Sequence, residues 1–179
     1  MPIGTYSEKQ IIPEDKLVKV PDNISDEVAS CITLKGITAE YLLHRTYQVK
    51  KGDKILYHAA AGALGQIFCP WANALGAEII GTVGSDEKIE IAKKNGCHHV
   101  INYNEKNFVE EVEKIVGKNG LDVVYDGVGA KTFEGSIEVL KVRGMMVAFG
   151  NASGYVHTLD IKKHINCLLY TSDAADEGL

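Results

Sequence analysis

The sequence has 179 residues, of which 45% are hydrophobic, and its formal net charge at pH 7 is −5. A chain of this length and composition is typical of a globular protein with one domain, or with one domain and part of another. The mild acidity argues against nucleic acid as a partner, because proteins bind a phosphate backbone with clustered Lys and Arg.

The cysteines and the N-terminal residues bear on the compartment. The four cysteines are scattered, with no CxxC pair, at Cys31, Cys69, Cys97 and Cys167. Such spacing indicates reduced thiols rather than a disulfide framework or a zinc knuckle. The N-terminus lacks the basic and apolar segments of a signal peptide, and no window approaches the roughly 18 apolar residues of a membrane span. We therefore expect a cytoplasmic protein with no membrane partner.

Residues 1–49 are predicted to be a remnant of a catalytic domain together with bridging helices. A short strand is expected from Gly4 to Ser7. Helical periodicity begins after Ser25, which is a plausible N-cap, and a second helix is predicted after Gly36. Helices placed before the first strand of a nucleotide-binding fold are expected to connect it to another domain.

Strands and helices alternate through residues 50–166, the predicted dinucleotide-binding domain. Strands are predicted at 54–58, 78–83, 99–101, 121–125 and 145–149, and helices at 63–75, 86–95, 105–116 and 132–140, with Gly76 and Gly96 ending the first two helices. This alternation predicts an α/β fold with a doubly wound parallel sheet, the Rossmann fold. The expected strand order is 3-2-1-4-5, with a ligand between the first and fourth strands.

Two stretches do not fit this pattern. Pro70 falls inside the first helix, where it costs about 3 kcal/mol or produces a kink, and we assign it no function. A sixth strand is expected after the fifth, but residues 167–179 resemble the conceptual translation of a DNA-library adapter. We therefore predict a sheet that is incomplete at its C-terminal edge and a non-native tail outside the fold; a genuine acidic terminus is the alternative.

The turn after the first predicted strand has the pattern Ala60-x-Gly62-x-x-Gly65. A helix that begins at such a turn directs free N–H groups and its positive dipole end toward one point, which suits a phosphate. However, the usual dinucleotide fingerprint has a third glycine where this chain has Ala60. Alone, the turn is as compatible with a nucleotide-free α/β protein as with a cofactor site.

Further motifs make the pattern more specific. They are Leu34-Lys-Gly-Ile-Thr38, His58-Ala-Ala-Ala-Gly-Ala-Leu-Gly65, Ile80-Gly-Thr-Val-Gly84, Val100-Ile-Asn-Tyr103, Val124-Tyr-Asp-Gly-Val-Gly129 and Phe149-Gly-Asn-Ala-Ser-Gly154. Their order resembles the zeta-crystallin-like quinone oxidoreductases, in the zinc-free branch of the medium-chain dehydrogenase/reductase superfamily. The resemblance implies an NADPH:quinone reductase, a homodimer, that transfers hydride from NADPH to a quinone or another conjugated carbonyl. Two alternatives are an enoyl or alkenal reductase and a non-catalytic NADPH-binding structural protein.

The resemblance also implies a set of cofactor-binding residues, which are Thr38, Gly62, Ala63, Leu64, Gly65, Gly84, Lys88, Tyr103, Phe149, Gly150 and Asn151. The backbone of residues 63–65 would hold the pyrophosphate, although the family more often has glycine at position 63. Lys88 and Tyr103 would surround the adenosine 2′-phosphate, because the acid that selects NAD after the second strand is absent. Thr38 would lie near the nicotinamide, or else cap a helix, and residues 149–151 would lie beside the nicotinamide.

No catalytic residue can be assigned. Asp126 is expected to be a loop or cap residue rather than a catalytic acid. Zinc is not expected, because Leu34 stands where zinc-dependent relatives have a cysteine ligand, and the histidines form no recognisable ligand set. The sequence has no Gly-x-Ser-x-Gly elbow for hydrolysis. Because the substrate pocket would draw on a missing N-terminal domain, we expect this chain to bind cofactor weakly and to be inactive alone.

Overall fold

The computed structural model describes residues 7–159 and 167–171. Its regular elements are α1 (Asp26–Tyr41), a π-helical turn (Leu42–Thr46), β1 (Lys54–Tyr57), α2 (Gly65–Ala74), β2 (Glu78–Val83), α3 (Ile89–Lys94), β3 (His99–Asn102), α4 (Phe108–Val116), β4 (Leu121–Asp126), α5 (Phe133–Glu138), β5 (Leu140–Ala148) and β6 (Leu168–Thr171), with short 3-10 turns at Glu14–Lys16 and Asp86–Lys88. Of the strand predicted from Gly4 to Ser7, residues 4–6 lie outside the described residues, and Ser7 is in a bend rather than a strand.

The strands form one parallel sheet in the order β3-β2-β1-β4-β5-β6. The predicted doubly wound α/β fold and the order of its first five strands are therefore confirmed. Tyr57 of β1 is level with Gly81 of β2 and with Tyr125 of β4. The carboxyl ends of these three strands consequently meet at one edge, where the strand order reverses around β1 and a ligand crevice is expected.

The prediction that the chain from Cys167 lies outside the fold is wrong for one segment. Leu168–Thr171 forms β6 and pairs in parallel with β5, with Met145 level with Leu168. The segment supplies the backbone partners that the edge of β5 needs, although Leu168 and Leu169 remain 52% and 41% exposed. Among the described residues the sheet therefore has the sixth strand that the sequence led us to miss. The non-native origin of residues 167–179 stays a prediction.

The helical region before the sheet also differs from expectation. Ser25 is the N-cap as predicted, and its side chain accepts a hydrogen bond from the N–H of Val28. Instead of two helices, α1 continues through Gly36 to Tyr41. Gly36 interrupts nothing because a glycine inside a helix costs only about 1 kcal/mol. The division into residues 1–49 and 50–166 stays a prediction, although Ala39, Leu42 and Leu43 are buried in the same core as the sheet.

Both faces of the sheet are covered, as expected for parallel strands. On one face, Tyr57 stacks on Phe68 of α2 with ring centroids 4.4 Å apart, and Phe68 meets Tyr125 edge-on at 4.6 Å. On the other face, Leu56 and Val124 pack with residues of α4 and α5. This burial of successive side chains on opposite faces holds the strand ends in fixed positions beneath the turns that follow them.

Pro70 lies inside α2, as predicted. Both Pro70 and Gln66, whose carbonyl loses its usual N–H donor, are exposed at the protein surface. Water can therefore hydrogen-bond that carbonyl, which explains why the proline is tolerated.

Candidate functional site

The glycine turn leaves the end of β1 and passes close to β2. Ala59 has a left-handed backbone, with φ of 59°, and the N–H of Ala60 donates to the carbonyl of Thr82 at 2.9 Å. Gly81 makes this approach possible, since a Cβ atom there would lie 2.7 Å from the Ala60 side chain. The turn is thus fastened to the neighbouring strand before it enters α2.

Gly65, the first residue of α2, lies directly against the backbone of Ala60 in the turn. A Cβ atom at position 65 would lie 2.4 Å from the carbonyl oxygen of Ala60, a distance that no side chain tolerates. The approach brings the start of the helix onto the carboxyl edge of the sheet. The glycine spacing noted in the sequence therefore has a steric cause.

The start of α2 carries backbone donors without backbone acceptors. Gln66 donates its N–H to the carbonyl of Gly62 at 3.0 Å, and this is the first hydrogen bond of the helix. Among the described residues, no backbone carbonyl accepts a hydrogen bond from the N–H groups of Ala63, Leu64 or Gly65. Unpaired N–H groups at the positive end of a helix dipole form a site that attracts an anion.

A small pocket of about 140 Å³ lies between the glycine turn, the end of β2 and the loop after β3. Residues from distant parts of the sequence line it, namely Ala59, Ala61, Gly62, Val83, Gly84, Lys88 and Tyr103. Four residues that the sequence assigned to cofactor binding, Gly62, Gly84, Lys88 and Tyr103, are thus brought together. Lys88 supplies a positive charge, and no ion pair of the described residues involves it.

Gly84 shapes this pocket by having no side chain. A Cβ atom at position 84 would lie 2.9 Å from the hydroxyl oxygen of Tyr103, so a side chain at this position would require the tyrosine to shift. Asn104 holds Gly84 in place by donating from Nδ2 to its carbonyl at 2.7 Å. The nearby carboxylate of Asp86 accepts a hydrogen bond from Asn102 at 2.8 Å. Asn104 and Asn102 position the pocket and were not among the predicted residues, although Asn102 belongs to the motif Val100–Tyr103.

A second, larger groove of about 370 Å³ lies beyond the ends of β5 and β6. It includes Gly150 and Asn151, two predicted residues, together with Gly129 from the loop after β4. The loops after β4 and β5 are joined by backbone hydrogen bonds, such as that from Ser153 N–H to the carbonyl of Val128 at 2.7 Å. Phe149 packs against Gly127, where a Cβ atom would lie 2.9 Å from its ring.

The remaining predicted residue, Thr38, lies in the interior of α1. Its hydroxyl donates to the carbonyl of Leu34 at 2.8 Å, one helical turn back. The alternative that Thr38 caps a helix is therefore wrong. Thr38 lines neither of the two pockets, and its place near a nicotinamide stays a prediction.

Asp126 is buried and hydrogen-bonds the loop after β4, in agreement with the predicted loop or cap role. Its Oδ1 accepts hydrogen bonds from the N–H groups of Val128 at 2.7 Å and Gly129 at 3.0 Å. Its Oδ2 accepts from the hydroxyls of Thr132 at 2.8 Å and Ser136 at 3.2 Å. Four hydrogen bonds satisfy a carboxylate that is 0% exposed, and they fix the loop after β4.

His58, the first residue of the glycine turn, continues this network. Its Nε2 lies 2.9 Å from Ser136 Oγ, and its Nδ1 lies 2.8 Å from Thr82 Oγ1. Complete burial lowers the pKa of His58 from its ordinary value, while the charge of Asp126 acts in the opposite direction. Sequence reasoning did not assign His58 a position in the site. A polar residue at the end of an apolar strand was the available signal.

Metal binding finds no support in the described part of the chain, where no three His, Cys, Asp or Glu side chains are grouped closely enough to hold an ion. Likewise, none of the helices in residues 7–159 is long and apolar enough to cross a membrane. The predicted absence of zinc stays a prediction.

Comparison with known proteins identifies the family. Residues 63–170 match the family model described as "Zinc-binding dehydrogenase". A 2-haloacrylate reductase of Burkholderia sp. is 51% identical over 155 residues, which cover 86% of this chain and 46% of the relative. A quinone oxidoreductase of Salmonella typhimurium is 50% identical over 154 residues, covering 86% of this chain and 47% of the relative.

A solved structure agrees in fold. The crystal structure of Escherichia coli quinone oxidoreductase complexed with NADPH superimposes with a TM-score of 0.84 and 44% identity, over 89% of this chain and 50% of that chain. The chain thus spans about half the length of the curated relatives that it matches. The chain belongs to the zinc-binding dehydrogenase family of that model.

Proposed function

We propose that this chain is the NADPH-binding half of an enzyme that reduces a quinone or another electron-poor conjugated acceptor. The observation that carries the proposal is the small pocket in which Gly62, Gly84, Lys88 and Tyr103 meet. A 2′-phosphate distinguishes NADPH from NADH. Lys88 offers it a positive charge, and the two glycines leave space for it.

The residues present fit the rest of such a cofactor. The unpaired N–H groups of Ala63, Leu64 and Gly65 lie at the start of α2 and would hold the pyrophosphate. Phe149, Gly150 and Asn151, at the end of β5, would flank the nicotinamide. NADPH supplies the hydride when it is bound, and the protein's contribution is binding, orientation and exclusion of water. No residue of this chain is assigned a proton-transfer step.

Two considerations support the choice of cofactor and acceptor. An Escherichia coli relative was solved with NADPH, and several relatives at 45–50% identity are quinone oxidoreductases. A second acceptor class is favoured by the 51% identity to a 2-haloacrylate reductase. A 2-haloacrylate is an alkene conjugated to a carboxylate, so an activated alkene is the alternative to a quinone. Comparing NADPH oxidation by the whole protein with each class of acceptor distinguishes them.

The cofactor assignment is tested with Lys88→Ala. We expect this substitution to weaken NADPH binding by about tenfold or more, because a charge-assisted contact to the phosphate is lost, and to leave NADH binding unchanged. Lys94→Ala, in the same helical segment but outside the pocket, is the matched control and should change neither affinity. Calorimetric or NMR titration of this chain with both cofactors gives the numbers. Unchanged NADPH affinity in Lys88→Ala would refute the assignment.

A further inference from the structure

A buried chain of hydrogen bonds connects elements that border the small pocket and the larger groove. It passes from Thr82 of β2 to His58 after β1, then to Ser136 of α5 and to Asp126 at the end of β4. All four side chains are at most 1% exposed. The network therefore joins four separate elements, and solvent does not reach it.

The hydrogen bonds of this network have a defined direction. Ser136 Oγ lies 2.7 Å from the carbonyl of Thr132 and 3.2 Å from the carboxylate of Asp126, and both oxygens only accept. The single hydroxyl proton of Ser136 is therefore directed to these oxygens, and His58 Nε2 must donate to Ser136. His58 Nδ1 then accepts from the hydroxyl of Thr82. Removing one hydroxyl would leave a buried partner unsatisfied and disturb the chain beyond its own position.

The ends of the network lie next to residues that line the small pocket and the larger groove. Thr82 directly precedes Val83 and Gly84, and His58 directly precedes Ala59. Val83, Gly84 and Ala59 line the small pocket. At the other end, Asp126 fixes the N–H of Gly129, which lines the larger groove. Ser136 is the link between the two halves.

The arrangement is unsuited to nucleophilic catalysis. Ser136 lies between the histidine and the carboxylate, rather than at the end of the series where a nucleophile would stand. Ser136 is 0% exposed, and it lines neither the small pocket nor the larger groove. The network is therefore suited to holding elements in register.

We infer that four buried side chains are positioning residues, namely Thr82, His58, Ser136 and Asp126. They fix the small pocket, where the adenosine half would bind, relative to the larger groove, where the nicotinamide half would bind. The inference rests on the proposed function, since it concerns how one dinucleotide engages both grooves. A ligand that occupies two sites at once gains affinity only if their spacing matches it. Disturbing the network should therefore weaken binding of the whole dinucleotide more than binding of its adenosine half.

The test compares two ligands on this chain, NADPH and adenosine 2′,5′-bisphosphate, by NMR titration. In Ser136→Ala and in Thr82→Val, we expect NADPH affinity to fall by about tenfold or more and bisphosphate affinity to change by less than about threefold. Thr82→Ser keeps the hydroxyl and should restore the ratio of the two affinities. Val49→Ala is the control for a merely destabilising change, because Val49 is buried in the segment before β1 and outside the network.

Each outcome distinguishes a positioning role of the network from an effect on stability alone. The quantity compared is the ratio of NADPH affinity to bisphosphate affinity. If this ratio falls in Ser136→Ala and Thr82→Val, but not in Val49→Ala or Thr82→Ser, the positioning role is supported. A ratio that stays within about threefold in both hydroxyl variants overturns it, because their effect would then be on stability alone. If circular dichroism shows that Ser136→Ala is unfolded, the isosteric Thr82→Val decides. If the unsubstituted chain binds neither ligand, the proposed function fails and the inference fails with it.

Discussion

Asp126→Ala should be among the most destabilising single substitutions in the sheet. The change removes the acceptor of two backbone N–H groups, those of Val128 and Gly129. The hydroxyls of Thr132 and Ser136 keep other acceptors, the carbonyls of Gly129 and Thr132. Two buried N–H groups without partners, at about 2 kcal/mol each, give an expected loss of about 4 kcal/mol in the free energy of unfolding. This is a large part of the roughly 5–15 kcal/mol that stabilises a typical domain.

Asp122→Ala is the matched control, because Asp122 lies on the same strand at its opposite end. Its carboxylate accepts from the N–H of Lys54 and pairs with Lys141. The Asp122 side chain is 15% exposed, so water can replace part of what is lost. We expect a loss of about 1 kcal/mol. Urea denaturation followed by circular dichroism measures both variants. Equal losses, or a loss below about 1 kcal/mol in Asp126→Ala, would refute the reasoning.

Three further predictions concern the turn, the histidine and the loop after β4. Gly65→Ala should cost about 1–3 kcal/mol and weaken NADPH binding, since its Cβ would meet a carbonyl oxygen at 2.4 Å; Gly36→Ala, with 3.8 Å of clearance, should not destabilise. Because the pKa of His58 is lowered in the fold, the unfolded chain binds more protons below about pH 6.5, and stability should fall as pH falls through that range. His58→Gln should remove that part of the slope in urea titrations. Gly127→Ala should displace Phe149, 2.9 Å from the new Cβ, and lower NADPH affinity without affecting the bisphosphate; equal losses for both ligands would contradict this.

Much of the architecture follows from local patterns in the sequence. Apolar runs of strand length and amphipathic helical segments alternate, and the handedness of βαβ crossovers then fixes the order of the strands. β2 (Glu78–Val83) has the predicted bounds, because a segment rich in β-branched residues ends at Gly84. Gly76 and Gly96 end their helices with φ of 88° and 89°, as the presence of glycine at these positions predicted.

Boundaries set by tertiary contacts were harder to predict. β5 begins at Leu140 rather than at residue 145, through an irregular register in which Arg143 has φ of 66°. A charged residue and a glycine at 143–144 gave no strand signal. β6 was missed because Leu168–Thr171 becomes a strand through its pairing with β5, which is a contact between distant segments.

The candidate site, like the fold, could be predicted only in part. Gly62, Gly84, Lys88 and Tyr103 were chosen through the resemblance to a known family, and they line one pocket. The buried network could not be predicted, since His58 and Ser136 are 78 positions apart and neither residue has a motif that indicates its partner. Polar contacts across a core depend on the packing of α5 against the sheet, which periodicity does not specify.

Amide chemical shifts test the central claim most directly. The isotope-labelled chain would be titrated with adenosine 2′,5′-bisphosphate and with adenosine 5′-monophosphate, which differ in the 2′-phosphate. We predict that the bisphosphate shifts the amide signals of Gly62, Gly84 and Lys88, and that the monophosphate produces much smaller shifts at Gly84 and Lys88 at the same concentration. Equal shifts with both ligands, or shifts confined to residues outside this pocket, would contradict an NADPH site at the carboxyl edge of the sheet.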